Sequence, residues 1–170
     1  MPLVLFTDDS GRDWLGVARR LPRGSIVVVR ARDAKARAAL FDLLRPLPLR
    51  LLIADDPALA MEADGLHLPE AQAREAGHWR ARRPDWIITA SAHSLRALMA
   101  LPHLDAVFLA PVFATASHLG GRILTPLRAA FIAAHGAVPV YALGGVTARN
   151  AALLAPSFSG IAAIQALSSD

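Results

Sequence analysis

Residues 139–147 read PVYALGGVT, and this stretch decides how the rest of the chain is interpreted. A short apolar run typical of a buried strand ends at Gly144 and Gly145, and Thr147 is suited to cap a following helix. Residues without side chains leave backbone N–H groups accessible to an anion, and a helix N-terminus adds partial positive charge. The stretch therefore predicts a phosphate-binding corner at the carboxyl end of a strand, where TIM-type barrels bind phosphate.

Strand-like and helix-like patterns alternate along the whole chain. The predicted strands cover residues 3–7, 25–30, 50–53, 65–68, 86–89, 106–109, 138–143 and 160–163. The predicted helices cover residues 13–21, 33–44, 56–62, 70–82, 94–101, 126–135 and 147–154. Such alternation with short connections indicates parallel strands joined by right-handed crossovers.

Eight strands predict an α/β fold, a compact (β/α)8 TIM-type barrel, formed by residues 1–170 as a single domain. The 170 residues are few for such a barrel, because barrels of this kind generally need about 200 residues or more. We therefore expect trimmed helices and a final helix truncated to residues 165–170. An open doubly wound sheet is the alternative architecture.

The charge, the cysteine content and the apolar runs of the chain indicate which ligands and which cellular location to expect. The net charge of +4 arises from 17 arginines and one lysine, and these are dispersed along the chain, which favours small anionic ligands over nucleic acid. The absence of cysteine excludes disulfides and thiolate chemistry. Neither a secretion signal nor an apolar run of membrane-spanning length is evident, so the sequence predicts a cytoplasmic protein without a membrane partner.

In a barrel, functional residues lie at the carboxyl ends of the strands. Polar residues collect at these positions, whereas the predicted strand interiors are almost entirely apolar. The candidates at this face are Thr7, Asp8, Asp9, Arg30, Arg32, Asp55, Asp56, His67, Ser91, His93, Thr115, Ser117, His118, Gly144, Gly145 and Gln165.

Six motifs, in order along the chain, resemble those of the thiamine-phosphate synthase family and its thiazole tautomerase (TenI) branch. Thr7-Asp8 resembles the end of L-x-x-V-T-D, and residues 63–68 (ADGLHL) resemble A-D-G-V-H-L. The remaining matches are residues 90–94 (ASAHS) with G-x-S-x-H-[ST], 108–115 (FLAPVFAT) with I-G-P-V-F-P-T, 141–146 (YALGGV) with V-A-I-G-G-I, and 159–163 (SGIAA) with D-G-I-A-V.

The resemblance implies a closed (β/α)8 barrel and a role in thiamine biosynthesis. The implied enzyme joins hydroxymethylpyrimidine pyrophosphate to a thiazole phosphate and releases pyrophosphate through a pyrimidine carbocation. It would act by electrostatic stabilisation and by bringing its small phosphorylated substrates together.

Carried over residue by residue, the resemblance implies three groups of site residues. Arg30, Ser91 and His118 would act on the pyrophosphate as catalytic residues, and Asp55 would bind Mg²⁺. The substrate-binding residues would be Arg32, Thr115, Ser117, Gly144, Gly145, Ser159 and Gly160. Several positions depart from the family pattern: Val28, Ala31 and Ala54 replace polar residues, Gln72 replaces the second magnesium aspartate, and His118 replaces a lysine.

Two other functions stay open at this point. A TenI-like isomerase would use His118 or His93 as proton carrier, although the glutamate and histidine of that branch are Ala31 and Pro111 here. A non-catalytic protein would bind thiazole phosphate or thiamine phosphate, and a homo-oligomer is compatible with each function.

Four residues or segments at the predicted site also have a structural interpretation. Asp55 is suited either to bind metal or to cap the helix before Pro57, and His67 to hydrogen-bond near the barrel rim. Arg30 requires either an anionic ligand or an acidic partner such as Asp8. Residues 114–121 fit either a lid over a ligand or a solvated loop.

Overall fold

The computed structural model describes residues 3–99, 103–114, 123–147, 149–154 and 157–164. Eight parallel strands close into a barrel in sequential order, and β1 pairs with β8 through Leu3 opposite Ile161. The strands are β1 (Leu3–Phe6), β2 (Ile26–Val29), β3 (Arg50–Ala54), β4 (Gly65–Leu68), β5 (Ile87–Ala92), β6 (Ala106–Leu109), β7 (Val140–Ala142) and β8 (Gly160–Ala163). The (β/α)8 prediction is confirmed, and the open doubly wound alternative is wrong because the sheet has no edges.

The helices between the strands are short, as the length of the chain requires. They are α1 (Trp14–Arg19), α2 (Ala34–Leu44), α3 (Pro57–Ala60), α4 (Ala76–Arg82), α5 (Leu95–Met99) and α6 (Pro126–Ala133), with 3-10 helices at Glu70–Glu75 and Ala151–Leu154. The helix predicted for residues 70–82 thus begins as a 3-10 helix. The predicted truncated helix at residues 165–170 lies outside the described residues, and the assignment of residues 1–170 to one domain stays a prediction.

Apolar side chains fill two layers because successive strand residues point to opposite faces of the sheet. Leu5, Val27 and Ile53 point outward into the large core beneath the helices. Val4, Phe6 and Phe108 point inward into a smaller cluster inside the barrel. The rings of Phe6 and Phe108 meet edge to face with centroids 4.9 Å apart, so the interior is a packed core and not a pore.

The segment after β7 differs from the prediction of a regular helix over residues 147–154. Thr147 and Asn150 cap each other: the Asn150 N–H donates to Thr147 Oγ1 (3.3 Å), and the Thr147 N–H donates to Asn150 Oδ1 (2.7 Å). This reciprocal pair is a capping box in which asparagine supplies the returning acceptor. Thr147 therefore caps the segment as predicted, although the helix that follows in the described residues is the 3-10 turn Ala151–Leu154.

Among the described residues, no helix is both long and apolar enough to cross a membrane.

Candidate active site at the carboxyl rim

A cavity of ≈ 360 Å³ opens at the carboxyl ends of the strands. Every strand contributes a lining residue at or just beyond its carboxyl end: Phe6, Arg30, Asp55, His67, Ser91, Ala110, Gly144 and Ile164. This is the face of a TIM-type barrel that carries active sites. The structure thus brings predicted residues from β2, β3, β5 and β7 to one cavity.

The glycine corner after β7 faces this cavity. Gly144 lines the cavity in a left-handed conformation (φ 89°), and a Cβ there would lie 2.9 Å from Pro111 Cα. The carbonyl oxygens of Gly144 and Gly145 accept hydrogen bonds from the Phe113 N–H (3.0 Å) and from Asn150 Nδ2 (2.8 Å). Within the described part of the chain, the N–H groups of Gly144, Gly145 and Val146 have no acceptor. The corner therefore holds its carbonyl groups in place and leaves these amides without an acceptor, a pattern suited to an anion. Gly144 lines the cavity, whereas Gly145 and Val146 do not.

Ser91 is held on β5 by a chain of side-chain hydrogen bonds. Its Oγ lies 3.1 Å from His67 Nε2, and His67 Nδ1 lies 3.0 Å from Thr89 Oγ1. His67 also contacts Phe6 edge to face, with ring centroids 5.2 Å apart. The apolar pattern predicts a strand that ends at Thr89, whereas β5 continues to Ala92 and so includes Ser91.

Burial keeps the His67 imidazole neutral. The side chain is 5% exposed, and this desolvation, with a smaller contribution from the positive charge of Arg30, lowers the pKa of His67 to about 3. In the neutral ring one nitrogen donates and the other accepts. His67 is thus a hydrogen-bonding residue near the rim, which agrees with its structural interpretation.

Arg30 and Arg32 follow β2 and line the cavity. Buried Thr7 fixes the backbone of Arg30, since its Oγ1 accepts from the Arg30 N–H and donates to the Arg30 carbonyl, both at 2.8 Å. The Arg30 side chain is exposed and forms no ion pair with Asp8 or any other described carboxylate. Arg30 was expected to pair either with an anionic ligand or with an acidic residue such as Asp8. Among the described residues the acidic partner is absent, which leaves the anionic ligand.

The sequence left open whether Asp55 caps the following helix or binds metal, and the structure gives the capping role to Asp56. Asp56 is the N-cap of α3, and its Oδ1 accepts from the Leu59 N–H at 3.0 Å. Asp55 adopts a left-handed conformation (φ 55°) at the end of β3 and lines the cavity. The helix-cap interpretation of Asp55 is therefore wrong, and its carboxylate has no hydrogen-bond partner among the described residues.

The family of the chain follows from comparison with known proteins. A sequence model described as thiamine monophosphate synthase matches residues 3–167. The chain is 35% identical to a thiamine-phosphate synthase of Azorhizobium caulinodans, over 98% of this chain and 87% of that protein. It is 31% identical to a thiamine-phosphate synthase of Methanoculleus marisnigri, over 97% and 86% of the two chains. The chain belongs to the thiamine monophosphate synthase family.

A solved structure confirms the fold of this family member. Thiamine phosphate pyrophosphorylase from Pyrococcus furiosus superposes with a TM-score of 0.77 at 21% sequence identity, covering 99% of this chain and 88% of that one. At this identity the likeness establishes the barrel alone. The resemblance drawn from the six motifs is confirmed by the family match.

Two predicted residues lie away from the cavity of this synthase-family chain. Ser159 and Gly160 stand at the amino end of β8, where the Ser159 N–H donates to the Val140 carbonyl (2.9 Å) and Gly160 pairs with Tyr141. A strand rises about 3.3 Å per residue, so Gly160 lies roughly 13 Å along β8 from the rim residue Ile164. We correct the assignment of Ser159 and Gly160 and leave both out of the site. Thr115, Ser117 and His118 lie outside the described residues.

Sequence reasoning missed two charged residues of the cavity, Glu70 and Arg37. Glu70 follows β4 by two residues, and its Oε2 accepts from the His93 N–H at 2.6 Å. Gln72, where the family's second aspartate was expected, does not line the cavity. Glu70 could have been identified by its position just beyond the carboxyl end of strand β4. Arg37 was identifiable by its spacing, since it lies four residues before Phe41 on the core-facing side of α2.

Proposed function

We propose that this protein is a thiamine-phosphate synthase. It would join hydroxymethylpyrimidine pyrophosphate to a thiazole phosphate: the C–O bond to the diphosphate breaks, diphosphate leaves with the electron pair, and the thiazole nitrogen bonds to the methylene carbocation. The observation that carries the proposal is that one cavity is lined both by arginines after β2 and by Gly144 of the glycine corner after β7. Such a cavity suits two substrates that each bear phosphate.

Arg30 and Arg32 are suited to bind the diphosphate group. Guanidinium groups bind phosphate oxygens through two parallel hydrogen bonds, and their charge stabilises the diphosphate as it leaves. Arg32 is held beside the cavity by Asp9, whose Oδ1 accepts from the Arg32 N–H at 3.2 Å. We retain Thr115, Ser117 and His118 as predicted contributors to the same subsite.

Ser91 would donate its hydroxyl proton to a diphosphate oxygen. This requires the His67 tautomer that carries its proton on Nε2, because that tautomer donates to Ser91 Oγ and leaves the serine hydroxyl hydrogen free. His67 Nδ1 then accepts from the Thr89 hydroxyl. Since the pKa of His67 lies near 3, the ring stays neutral at physiological pH and this pattern is available.

Gly144 and Gly145 would bind the phosphate of the thiazole substrate through the free amides of the corner. Such binding would place the thiazole across the cavity from the diphosphate. Holding the two substrates together in one orientation removes the entropic cost of their encounter in solution. That cost is a large part of the activation barrier for such a reaction.

The fit of the site to Mg²⁺ rests on the two carboxylates that line the cavity, Asp55 and Glu70. No group of three histidine or acidic side chains able to enclose a metal occurs among the described residues. Mg²⁺ commonly binds through one or two carboxylates together with substrate phosphates, and Asp55 and Glu70 suit that mode. A magnesium ion held there would neutralise charge on the diphosphate leaving group.

The TenI-like isomerase receives less support from the cavity. Ala31 and Pro111, at the positions of that branch's acid and base, both line the cavity and carry no proton. A binding protein without turnover would share the same subsites and is distinguished by assay. A cytoplasmic location and a homo-oligomeric assembly stay predictions of the sequence.

The proposal is tested by incubating the purified protein with hydroxymethylpyrimidine pyrophosphate, thiazole phosphate and Mg²⁺ and measuring thiamine phosphate. We expect turnover that Asp55→Asn reduces at least tenfold. Asp42→Asn, a change on the exposed side of α2, is the matched control and is expected to retain activity. Binding of both substrates without product would assign the chain as a binding protein, and binding of neither would refute the proposal.

A further inference from the structure

Arg37 is a buried cation at the edge of the cavity. It lies in the first turn of α2, which Asp33 begins by accepting hydrogen bonds from the backbone N–H groups of Lys35 (3.1 Å) and Ala36 (3.4 Å). Its helical face is the one that buries Phe41 and Leu44, so the arginine takes the first position of an apolar stripe. The side chain is 7% exposed and lines the cavity.

The hydrogen bonding of this guanidinium is incomplete. Nη1 donates to the Ala54 carbonyl at 3.2 Å, whereas Nε is buried without any acceptor. No carboxylate of the described residues lies within 4.0 Å to form an ion pair, although Asp55 and Glu70 line the same cavity. A buried charge without a partner destabilises a fold, so packing alone gives no reason for an arginine here.

We infer that Arg37 binds the diphosphate of the pyrimidine substrate, as a third guanidinium beside Arg30 and Arg32. The inference rests on the proposed function and adds a residue to its diphosphate subsite. The incomplete hydrogen bonding of a buried guanidinium can be satisfied by an anion with several oxygens, and a diphosphate supplies them. The three arginines belong to the segment from the end of β2 to the first turn of α2.

Arg37 lies on the opposite side of the barrel from Gly144, the proposed binding corner for the thiazole phosphate. Its hydrogen bond reaches Ala54 at the end of β3, whereas Gly144 follows β7. In a closed barrel of eight strands in sequential order, β3 and β7 are diametrically opposite. Arg37 is therefore expected to bind the diphosphate and not the thiazole phosphate. The affinity for thiazole phosphate then serves as the control for the affinity for diphosphate.

The competing explanation is that Arg37 only ties α2 to β3. The two roles predict opposite effects on the ligand-free protein. A structural tie makes Arg37→Met less stable than wild type, because a buried hydrogen bond is lost. A binding role makes Arg37→Met equally or more stable, because methionine fills the apolar stripe and removes an unpaired charge.

The test is calorimetric titration of wild-type protein, Arg37→Met and Arg37→Lys, with inorganic pyrophosphate and separately with thiazole phosphate. We expect Arg37→Met to raise the Kd for pyrophosphate at least tenfold and to leave the Kd for thiazole phosphate within twofold. Arg37→Lys is expected to recover part of the loss, since it restores the charge. Arg19→Met, at the exposed end of α1, is the matched control and is expected to bind both anions as wild type does.

Thermal unfolding without ligand completes the experiment. A Tm of Arg37→Met equal to or above that of wild type, together with selective loss of pyrophosphate binding, supports the inference. Unchanged pyrophosphate affinity, equal loss of both anions, or a variant that unfolds overturns it in favour of a structural tie. If wild type binds both anions and forms thiamine phosphate while Arg37→Met retains its affinity, only this inference fails. If wild type binds neither anion, the proposed function fails as well.

Discussion

Acidification is expected to weaken the fold through one residue, His67. In the folded barrel the pKa of His67 is lowered from 6.5 to about 3, chiefly by burial. In the unfolded chain the imidazole takes up a proton near pH 6.5, so between these two values the unfolded state binds more protons than the folded state. Stability is therefore fully present above pH 6.5 and is lost as the pH falls toward 3.

The expected loss can be calculated for a range in which carboxylates contribute little. One pKa unit corresponds to about 1.4 kcal/mol, so lowering the pH from 7 to 5 is expected to remove about 2 kcal/mol through His67. A domain of ordinary stability has about 5–15 kcal/mol in total, and about 2 kcal/mol shifts the Tm of a chain of this size by roughly 4–8 °C.

Urea unfolding at pH 7, 6 and 5 measures this loss in wild type and in His67→Asn. Asparagine is uncharged at each pH and keeps a hydrogen-bonding group toward Ser91, so the variant is expected to lose the pH dependence that His67 causes. His135→Asn, which replaces an exposed histidine after α6, is the control and is expected to retain the wild-type slope. Equal slopes in wild type and His67→Asn would refute the reasoning that a neutral buried imidazole lies beneath Ser91.

Four substitutions separate effects on stability from effects on function at the rim. Gly144→Ala places a Cβ 2.9 Å from Pro111 Cα at a positive φ; we expect it to lower the free energy of unfolding by about 1–3 kcal/mol and to abolish thiazole phosphate binding, both measured on the purified variant. Ser91→Ala is expected to reduce turnover about 10–100-fold with little change in Tm, and a normal rate would remove Ser91 from the site. Asp56→Ala removes the α3 cap and is expected to cost about 1 kcal/mol in urea unfolding, whereas Asp55→Asn is expected to leave stability unchanged.

The barrel could be predicted from local patterns because parallel strands in this fold are buried on both faces. Each of the eight apolar runs appears as a strand, and the ends differ by a few residues, as for residues 138–143, of which Val140–Ala142 form β7. Closure needed the resemblance, since strand count alone also permits an open sheet. The helix after β7 failed as a prediction because residue spacing does not reveal that Thr147 and Asn150 bond each other and begin only a 3-10 turn.

Most of the predicted cavity residues directly follow a strand, whereas a residue that reaches the cavity from a helix is found only by a different signal. Arg30, Asp55, Ser91 and Gly144 belong to strand ends, so their positions follow from topology. Arg37 reaches the cavity from α2, and the rule that functional residues end strands does not find it. The assignment of Ser159 and Gly160 to the site was wrong because a motif match does not show at which end of a strand the motif lies. In β8 it lies at the amino end, away from the cavity.

Several residues at the rim form pairs in which one member satisfies backbone hydrogen bonds and the other lies at the cavity. Asp56 caps α3 and thereby frees the carboxylate of Asp55, and Thr7 fixes the backbone that presents Arg30. Asn150 likewise takes the carbonyl of Gly145 and leaves the corner amides free.

This division explains how a chain of 170 residues can maintain a site on trimmed helices. At these strand ends the backbone is fixed by hydrogen bonds from Thr7 and Asn150 and not by a long helix, whereas Arg37 is carried into the cavity by α2. A chain that shortens its helices loses packing energy between the layers of the barrel, but hydrogen bonds at the strand ends are independent of helix length. Loss of a supporting residue such as Thr7 or Asn150 is therefore expected to impair substrate binding while the barrel itself remains closed.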